Sequence, residues 1–408
     1  MNFTITIFRI KYLLSVFLII TSACGTFATN KSAPLALRGQ LDLADWNLEQ
    51  DGIFNLYGTW EFYWQQLLAS PPVNIVPELV RAPDLWINHD ANKSSIGFGT
   101  YRLQVVGELT NKEVGIYLPS MYTSHRVFVN GTEVGHIGQV GTDRNTYEPF
   151  WQATIAKFTP TSDTIDLMIQ VANFHHSKGG ISEQIMMGTA TDIEALLAKN
   201  KLADKVKTIG LLVLALIMLV LFVIKRKIHI LWFAIFSLCW SIRGAFSSTY
   251  PIFDWYPEFN WFAAIRVEYV ILPLTLLVGI LIFHRLYYKY TFNWAKKVAI
   301  IICLLYAGIT LLSPVFWFTS LLIYFFVFLG ITLFYVLIAI INTVIHSEKG
   351  STTMSISIVL IVCLFFYDLI SYQQLVSPNP YILNLGYLII FYLLSGSMTY
   401  YALSIKKA

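Results

Sequence analysis

Cysteine is nearly missing from this chain, and charge is scarce. Of its four cysteines, Cys239, Cys303 and Cys363 fall inside apolar runs, where they serve as small hydrophobes. Cys24 lies near the N-terminus, so the long stretch before the first of those runs holds no cysteine pair. A disulfide-built domain is thereby excluded, and that stretch must be stable through its core alone. Only 13% of the residues are charged, too few for an ordinary soluble protein of 408 residues. The net charge of +4 comes largely from a few loops and offers no nucleic-acid surface. Metal-ligand spacing is missing too. His175 and His176 are adjacent, point opposite ways on an extended chain, and have no spaced acidic or Cys partners. No dense acidic loop suits calcium, and no carboxylate pair stands in a hydrolase context. Neither a cofactor nor a catalytic centre is expected. Internal repeats and low-complexity tracts are also lacking.

Long apolar runs are what the chain has in quantity. Hydrophobic residues make up 56% of it and aromatics 15%. Seven stretches, at 208–224, 228–247, 261–283, 298–312, 316–345, 354–370 and 381–403, mostly approach the ~20 residues that cross a ~30 Å hydrocarbon layer. Alternate loops between them carry Lys225, Arg226 and Lys227; Arg285, Lys289, Lys296 and Lys297; Lys349; and, after the last, Lys406 and Lys407. The opposing loops carry no Lys or Arg at all. Positive charge collects on the cytoplasmic side, which predicts an N-terminus outside and a C-terminus inside. Residues 1–28 read as a signal peptide. Arg9 and Lys11 precede an apolar run at 12–21, and small residues end at Ala23-Cys24-Gly25 or Thr26-Phe27-Ala28. At Cys24, Thr21 stands where a lipid-modified cysteine would usually have Leu.

Between the signal and the first apolar run the pattern changes. Tyr101-Arg-Leu-Gln-Val-Val106, Val114-Gly-Ile-Tyr-Leu118, Arg126-Val-Phe-Val-Asn130 and Ile165-Asp-Leu-Met-Ile-Gln-Val171 alternate in the manner of strands. Asn130-Gly131, Gly138, Gly141 and Gly179-Gly180 punctuate them as turns. Many short strands without intervening helices predict an all-β jelly-roll sandwich over 29–190. A helical linker is expected at 191–207, with Ile193, Leu196 and Leu197 on one face. An all-α bundle of seven transmembrane helices then follows over 208–404, with a cytoplasmic tail at 405–408.

The order of certain motifs carries a resemblance. Gly39-Gln-Leu-Asp-Leu43 with Trp46 comes first, then Leu56-Tyr-Gly-Thr-Trp-Glu-Phe-Tyr-Trp64. Gly99-Thr-Tyr-Arg-Leu103, Val129-Asn-Gly131 and Val171-Ala-Asn-Phe-His-His-Ser-Lys-Gly-Gly180 follow. Together they resemble the exported module of the seven-transmembrane receptors with diverse intracellular signalling modules, the 7TMR-DISM family. That module is similar to the galactose-binding-like sandwiches attached to some glycoside hydrolases. The resemblance implies a bacterial inner-membrane receptor, not an enzyme, with its sandwich periplasmic or extracellular. It implies a sugar-like or other small polar ligand outside and a cytoplasmic signalling effector. Family members generally continue into a catalytic output module, whereas only 404–408 follow Leu403 here. The effector is therefore expected to be a separate protein. Enzymes downstream of related receptors are dimeric, which makes a homodimer possible. The alternative reading is a transporter or channel. That would need broken helices at matching positions in two halves, and Pro273, Gly279 and Gly330 are too scattered to supply them.

Candidate ligand-binding residues are those that stack on sugar rings or bond hydroxyls. Trp60, Phe62 and Trp64 share one strand face and are expected in the core, which leaves Glu61 and Tyr63 on the other face as candidates. Tyr122 and Arg126 form a second group, Arg126 being suited to an anionic sugar. Trp151, His175, His176 and Lys178 complete the set, the last three in a loop after a strand. Within the apolar runs, Arg243, Arg266, Glu268 and Asp368 are costly in lipid and must be paired or face a wet interior. Glu268 with Arg243 and Arg266 with Asp368 are the expected pairs of a polar network that relays signals. His346 lacks the nucleotide-binding partner domain that a phosphoacceptor would need.

Overall fold

The structure, a computed structural model, describes residues 33–90, 93–345, 351–372 and 380–404. The expected signal peptide at 1–28, the tail at 405–408 and His346 lie outside the described residues.

Alternating apolar residues place the strands. In order they are β1 (Gln40–Asp42), β2 (Phe54–Asn55), β3 (Gly58–Trp64), β4 (Glu78–Ala82) and β5 (Asp84–Leu85). A one-turn helix, α1 (Trp86–His89), leads to β6 (Gly97–Val106), β7 (Val114–Leu118), β8 (Ser124–Val129) and β9 (Thr132–Ile137). Then come β10 (Thr154–Phe158), β11 (Thr164–Asn173), β12 (Gly180–Ile181) and β13 (Met186–Thr189). One seven-stranded sheet runs β4-β3-β6-β11-β8-β9, with β1 parallel to the C-terminal part of β6. A second, four-stranded sheet runs β10-β7-β13-β2. Between them lies one core. Trp60 and Phe62 from β3, Tyr101 and Leu103 from β6, and Ile165, Leu167, Ile169 and Val171 from β11 meet Ile116, Leu118 and Met187 of the second sheet. Each such fully buried large side chain contributes about 1.5–3 kcal/mol. At the β8–β9 hairpin, Asn130 (φ 49°) and Gly131 (φ 81°) take the two left-handed positions that a tight two-residue turn requires.

Thr189 caps the next element, α2 (Ala190–Lys225), its hydroxyl accepting from the Asp192 amide at 3.2 Å. The segment expected as a linker at 191–207 and the apolar run from 208 are one unbroken helix of 36 residues, about 54 Å long. Its first turns lie on the outer face of the second sheet, where Ile193 and Leu197 pack against Tyr117, Ile155 and Met186. Gly115 allows this approach, since a Cβ there would come within 3.0 Å of the Ala190 Cα. The sandwich is thus bolted to the outer half of a helix whose other half is apolar.

The remaining helices are α3 (Ile228–Ala245), α4 (Pro251–Trp255), α5 (Trp261–Leu286), α6 (Asn293–Leu312), α7 (Val315–Ile345), α8 (Ser351–Tyr372) and α9 (Pro380–Ser404). Among the described residues, five of the helices (α2, α3, α5, α6 and α7) are long and apolar enough to cross a bilayer. Leu212, Val213, Leu216 and Val220 of α2 point outward and exposed, as suits a hydrocarbon surround rather than water. Inside, Phe233, Trp240, Tyr387 and Phe391 pack α3 against α9, Phe236 stacking on Phe391 at 5.3 Å.

Candidate functional site at the junction of sandwich and helices

Three loops of the sandwich converge on the outer ends of the helices. The one after β11 is held by Asn173, which is wholly buried. Its amide nitrogen donates to the carbonyls of Ser95 (2.7 Å), His176 (2.7 Å) and Lys178 (2.9 Å). Its carbonyl oxygen accepts from the amides of His175 (3.2 Å) and His176 (2.9 Å). So fixed, the loop presents His176 to the bundle. The Lys178 amide donates to Nδ1 of His176 at 2.9 Å, which puts the ring proton on Nε2, and Nε2 donates to the Tyr269 hydroxyl of α5 at 3.0 Å. Tyr122 stacks on the ring at 4.4 Å and Trp151 meets it edge-on at 5.4 Å. Burial, reinforced by the Lys178 charge, pushes the His176 pKa down to about 3, so the ring is neutral at ordinary pH.

Trp151 is the hub of the contact. It is 4% exposed and touches Tyr122, Tyr250 and Trp261, all with ring centroids 5.5–5.6 Å away. Beside it Phe150 packs on Phe253 of α4 at 4.5 Å. His175 faces the other way, stacking on Tyr147 and meeting Phe262 edge-on at 5.1 Å; its pKa is lowered by burial and by Arg144. Polar bonds surround this apolar patch. The Ser177 amide donates to Thr319 Oγ1 of α7 at 3.1 Å, and Gln152 donates to Asp254 at 3.0 Å. Asp254 also pairs with Lys201 (2.8 Å) and Lys205 (2.9 Å) of α2. Burial pushes the Asp254 pKa up, but the two lysines outweigh it and the carboxyl sits below its usual range. A single carboxylate therefore ties the sandwich, α4 and the long helix together.

Beneath the junction the polar residues continue. Glu268 accepts from the Tyr250 hydroxyl at 3.3 Å and lies within the field of Arg243. Arg243 in turn borders an apolar cavity of about 150 Å³ among Trp240, Leu272, Thr275 and Phe365. Arg266 donates to the carbonyls of Phe262 (3.2 Å) and Ser313 (3.3 Å) and lies over Phe318. The side chain of its expected partner, Asp368, lies outside the described residues. Asp204 is 1% exposed and accepts from the Thr249 amide (3.0 Å) and hydroxyl (2.7 Å), Lys207 (3.4 Å) and Asn384 of α9 (3.0 Å).

Of the sequence candidates, the structure brings Tyr122, Trp151, His175, His176 and Lys178 together here, Lys178 lying 5.9 Å from the Tyr122 ring. It sets the others apart. Glu61 and Tyr63 belong to a lattice on the outer face of the large sheet. There Arg102 pairs with Glu61 (2.8 Å) and Asp166 (2.7 Å), and the Tyr63 hydroxyl donates to Glu61 at 2.8 Å. Burial, then the Glu61 bond, push the Tyr63 phenol up to about 12. Arg126 is partly exposed on β8, 3.5 Å from Glu133. Sequence reasoning passed over Asn173, Gln152, Asp204, Asp254, Tyr269 and Thr319. The signal for Asp254 was present, as Lys201 and Lys205 stand one turn apart on α2. Among the described residues no three His, Cys, Asp or Glu side chains gather as a metal site.

Fold and junction together define a multi-pass membrane protein carrying a β-sandwich head. The family described as 7TM diverse intracellular signalling (7TMR-DISM) matches residues 208–401, which identifies the helical part of the chain as a member of that family. Among solved structures, a GH2 β-galacturonidase from Eisenbergiella tayi bound to glycerol is 14% identical, covering 33% of this chain and 24% of its own, with a TM-score of 0.25. A β-glucuronidase from Ruminococcus gnavus in complex with D-glucuronic acid is 12% identical, covering 33% of this chain and 29% of its own, with a TM-score of 0.27. The chain spans 24% to 29% of the length of these enzymes. No curated protein matches it.

Proposed function

We propose that this chain is a transmembrane signalling receptor. Its sandwich, a jelly roll on the outer side of a bacterial inner membrane, binds a small polar ligand of carbohydrate type. Seven membrane-spanning helices carry the change inward to a cytoplasmic effector. The observation that carries this reading is the His176–Trp151 junction. A sandwich that served only to capture solute could hang from a linker. This one is keyed into α4 and α5 by loop side chains and into α7 by the Ser177 amide, and it shares one unbroken helix with the membrane part. On this reading Tyr122, Trp151 and His176 act as coupling groups. Trp151 and His176 already contact helix residues and Tyr122 is stacked on His176, so a ligand would act by shifting their packing. Glu268 sits one bond from Tyr250, which touches Trp151, so such a shift would reach this membrane-embedded charge.

The test uses the full chain in lipid nanodiscs with Ser177→Cys carrying an environment-sensitive dye. Neutral and acidic mono- and oligosaccharides are screened by thermal unfolding and by dye emission. A ligand bound to the native state raises the melting temperature by mass action, and the receptor reading requires that the same ligand change the dye signal. A sugar that raises the melting temperature with no change at position 177 defeats the coupling. A panel without any shift removes the carbohydrate reading.

A further inference from the structure

At the end of the bundle opposite the sandwich, a second cavity opens, of about 390 Å³. It lies between α3, α5 and α6 and is lined by Trp232, Leu281, His284, Arg285, Tyr288 and Lys296. We propose that this cavity binds the phosphate headgroup of an anionic phospholipid, held by Arg285, Lys296 and His284. The proposal rests on the membrane reading of the bundle and not on the receptor reading.

Five observations converge. The two segments that frame the cavity, 225–229 and 284–297, contain Lys225, Arg226, Lys227, Arg285, Lys289, Lys296 and Lys297 and no Asp or Glu. Among the described residues, Arg285 and Lys296 form no ion pair with a carboxylate, so their charge is available to a ligand. His284 is held in place by a 2.8 Å bond between its Nδ1 and the Thr291 hydroxyl. Trp232 and Tyr288 flank the opening, as amphipathic rings do at the headgroup level of a membrane. Below it, Trp294, Val298, Ile301 and Leu305 are all exposed at spacings of three to four residues, a stripe along which an acyl chain can lie. A basic pocket between helices, rimmed by aromatics and continued by a lipid-facing stripe, fits a phosphate that arrives with its own hydrocarbon. Free phosphate offers the same charge without the tail.

The test is native mass spectrometry of the full chain released from nanodiscs of mixed phosphatidylglycerol and phosphatidylcholine, counting retained lipids. One phosphatidylglycerol per chain is expected, retained in preference to phosphatidylcholine. In Arg285→Gln/Lys296→Gln its retention should fall roughly 30-fold, as two neutralised charges near the membrane surface imply. Arg226→Gln/Lys227→Gln, which removes as much charge outside the cavity, should keep it. Equal loss in both variants would show general attraction to the basic surface and overturn the site. Equal retention in the cavity variant, or of phosphatidylcholine, would overturn it as well. Displacement of the lipid by millimolar inorganic phosphate would assign the site to the free ion instead. A circular dichroism spectrum matching the parent, required of each variant, separates lost binding from lost folding.

Discussion

Acid should loosen the junction, and His176 sets by how much. Docked, its ring is neutral with a pKa of about 3. Released to water it would titrate near its ordinary value of about 6.5. The undocked state therefore binds the extra proton between those values, and docking weakens as the pH falls through that window. Above about 6.5 the full docking strength is present. At about pH 5 the free ring is almost wholly protonated while the docked ring is not, which weakens docking roughly 30-fold, or about 2 kcal/mol. Among the described residues, none of the ring's contacts carries a negative charge that would offset this. Its neighbours are Tyr122, Trp151, Tyr269 and Lys178, and the last is itself a cation. His175, lowered by burial and by Arg144, acts in the same direction. The assay is hydrogen exchange of the full chain in nanodiscs at about pH 7.5 and about pH 5, corrected for the intrinsic pH dependence of exchange. Protection of the loop at 174–178 and of the outer turn of α5 should fall at the lower pH, and His176→Gln should flatten that dependence. Unchanged protection, or the same pH slope in His176→Gln, would refute the reasoning.

Other perturbations test separate parts of the account. Asp254→Asn removes the anion shared by Lys201 and Lys205 and should weaken docking by roughly 1–2 kcal/mol, seen as faster exchange in the first half of α2. With a lowered pKa, that carboxylate contributes its full stabilisation above the ordinary carboxylate range and loses it only as the pH falls through the lowered value. Asn173→Ala strands the amides and carbonyls of the 173–178 loop and should cost roughly 2–3 kcal/mol, read as a lower melting temperature of the full chain. Arg102→Ala leaves Glu61 and Asp166 without their cation and should cost a similar amount by the same measurement while sparing junction exchange. Gly115→Ala puts a methyl against Ala190 and Ile193 and should selectively loosen the start of α2, at roughly 1–3 kcal/mol.

What the sequence made legible was local. Period-two alternation marked the long strands, because a half-buried strand has no other way to place its apolar side chains. The parity of Trp60 and Phe62 against Glu61 predicted which of them enter the core, and both rings are fully buried. Apolar runs marked the helices, but not that the linker and the first run are continuous. Gly210 marked no break, because it is the point of close packing on Leu388. The junction was least visible. His176 meets Tyr269 across 93 residues of sequence, Gln152 meets Asp254 across 102, and Ser177 meets Thr319 across 142. Such pairings depend on how two independently patterned parts dock, and no periodicity records that. His175, His176 and Trp151 stood out as candidates by residue type, yet type alone did not distinguish a ligand platform from a contact with helices.

The account rests most heavily on the sandwich being keyed to the helices and responding there. The direct measurement is disulfide formation in native membranes between Ser177→Cys and Thr319→Cys, with the other cysteines replaced. The Ser177 amide lies 3.1 Å from Thr319 Oγ1, so the pair should cross-link rapidly under mild oxidation. The yield should fall at about pH 5 and change on adding any sugar that stabilises the chain. Failure to cross-link, while a control pair across β3 and β6 at Glu61→Cys and Arg102→Cys does so, would contradict the docked arrangement.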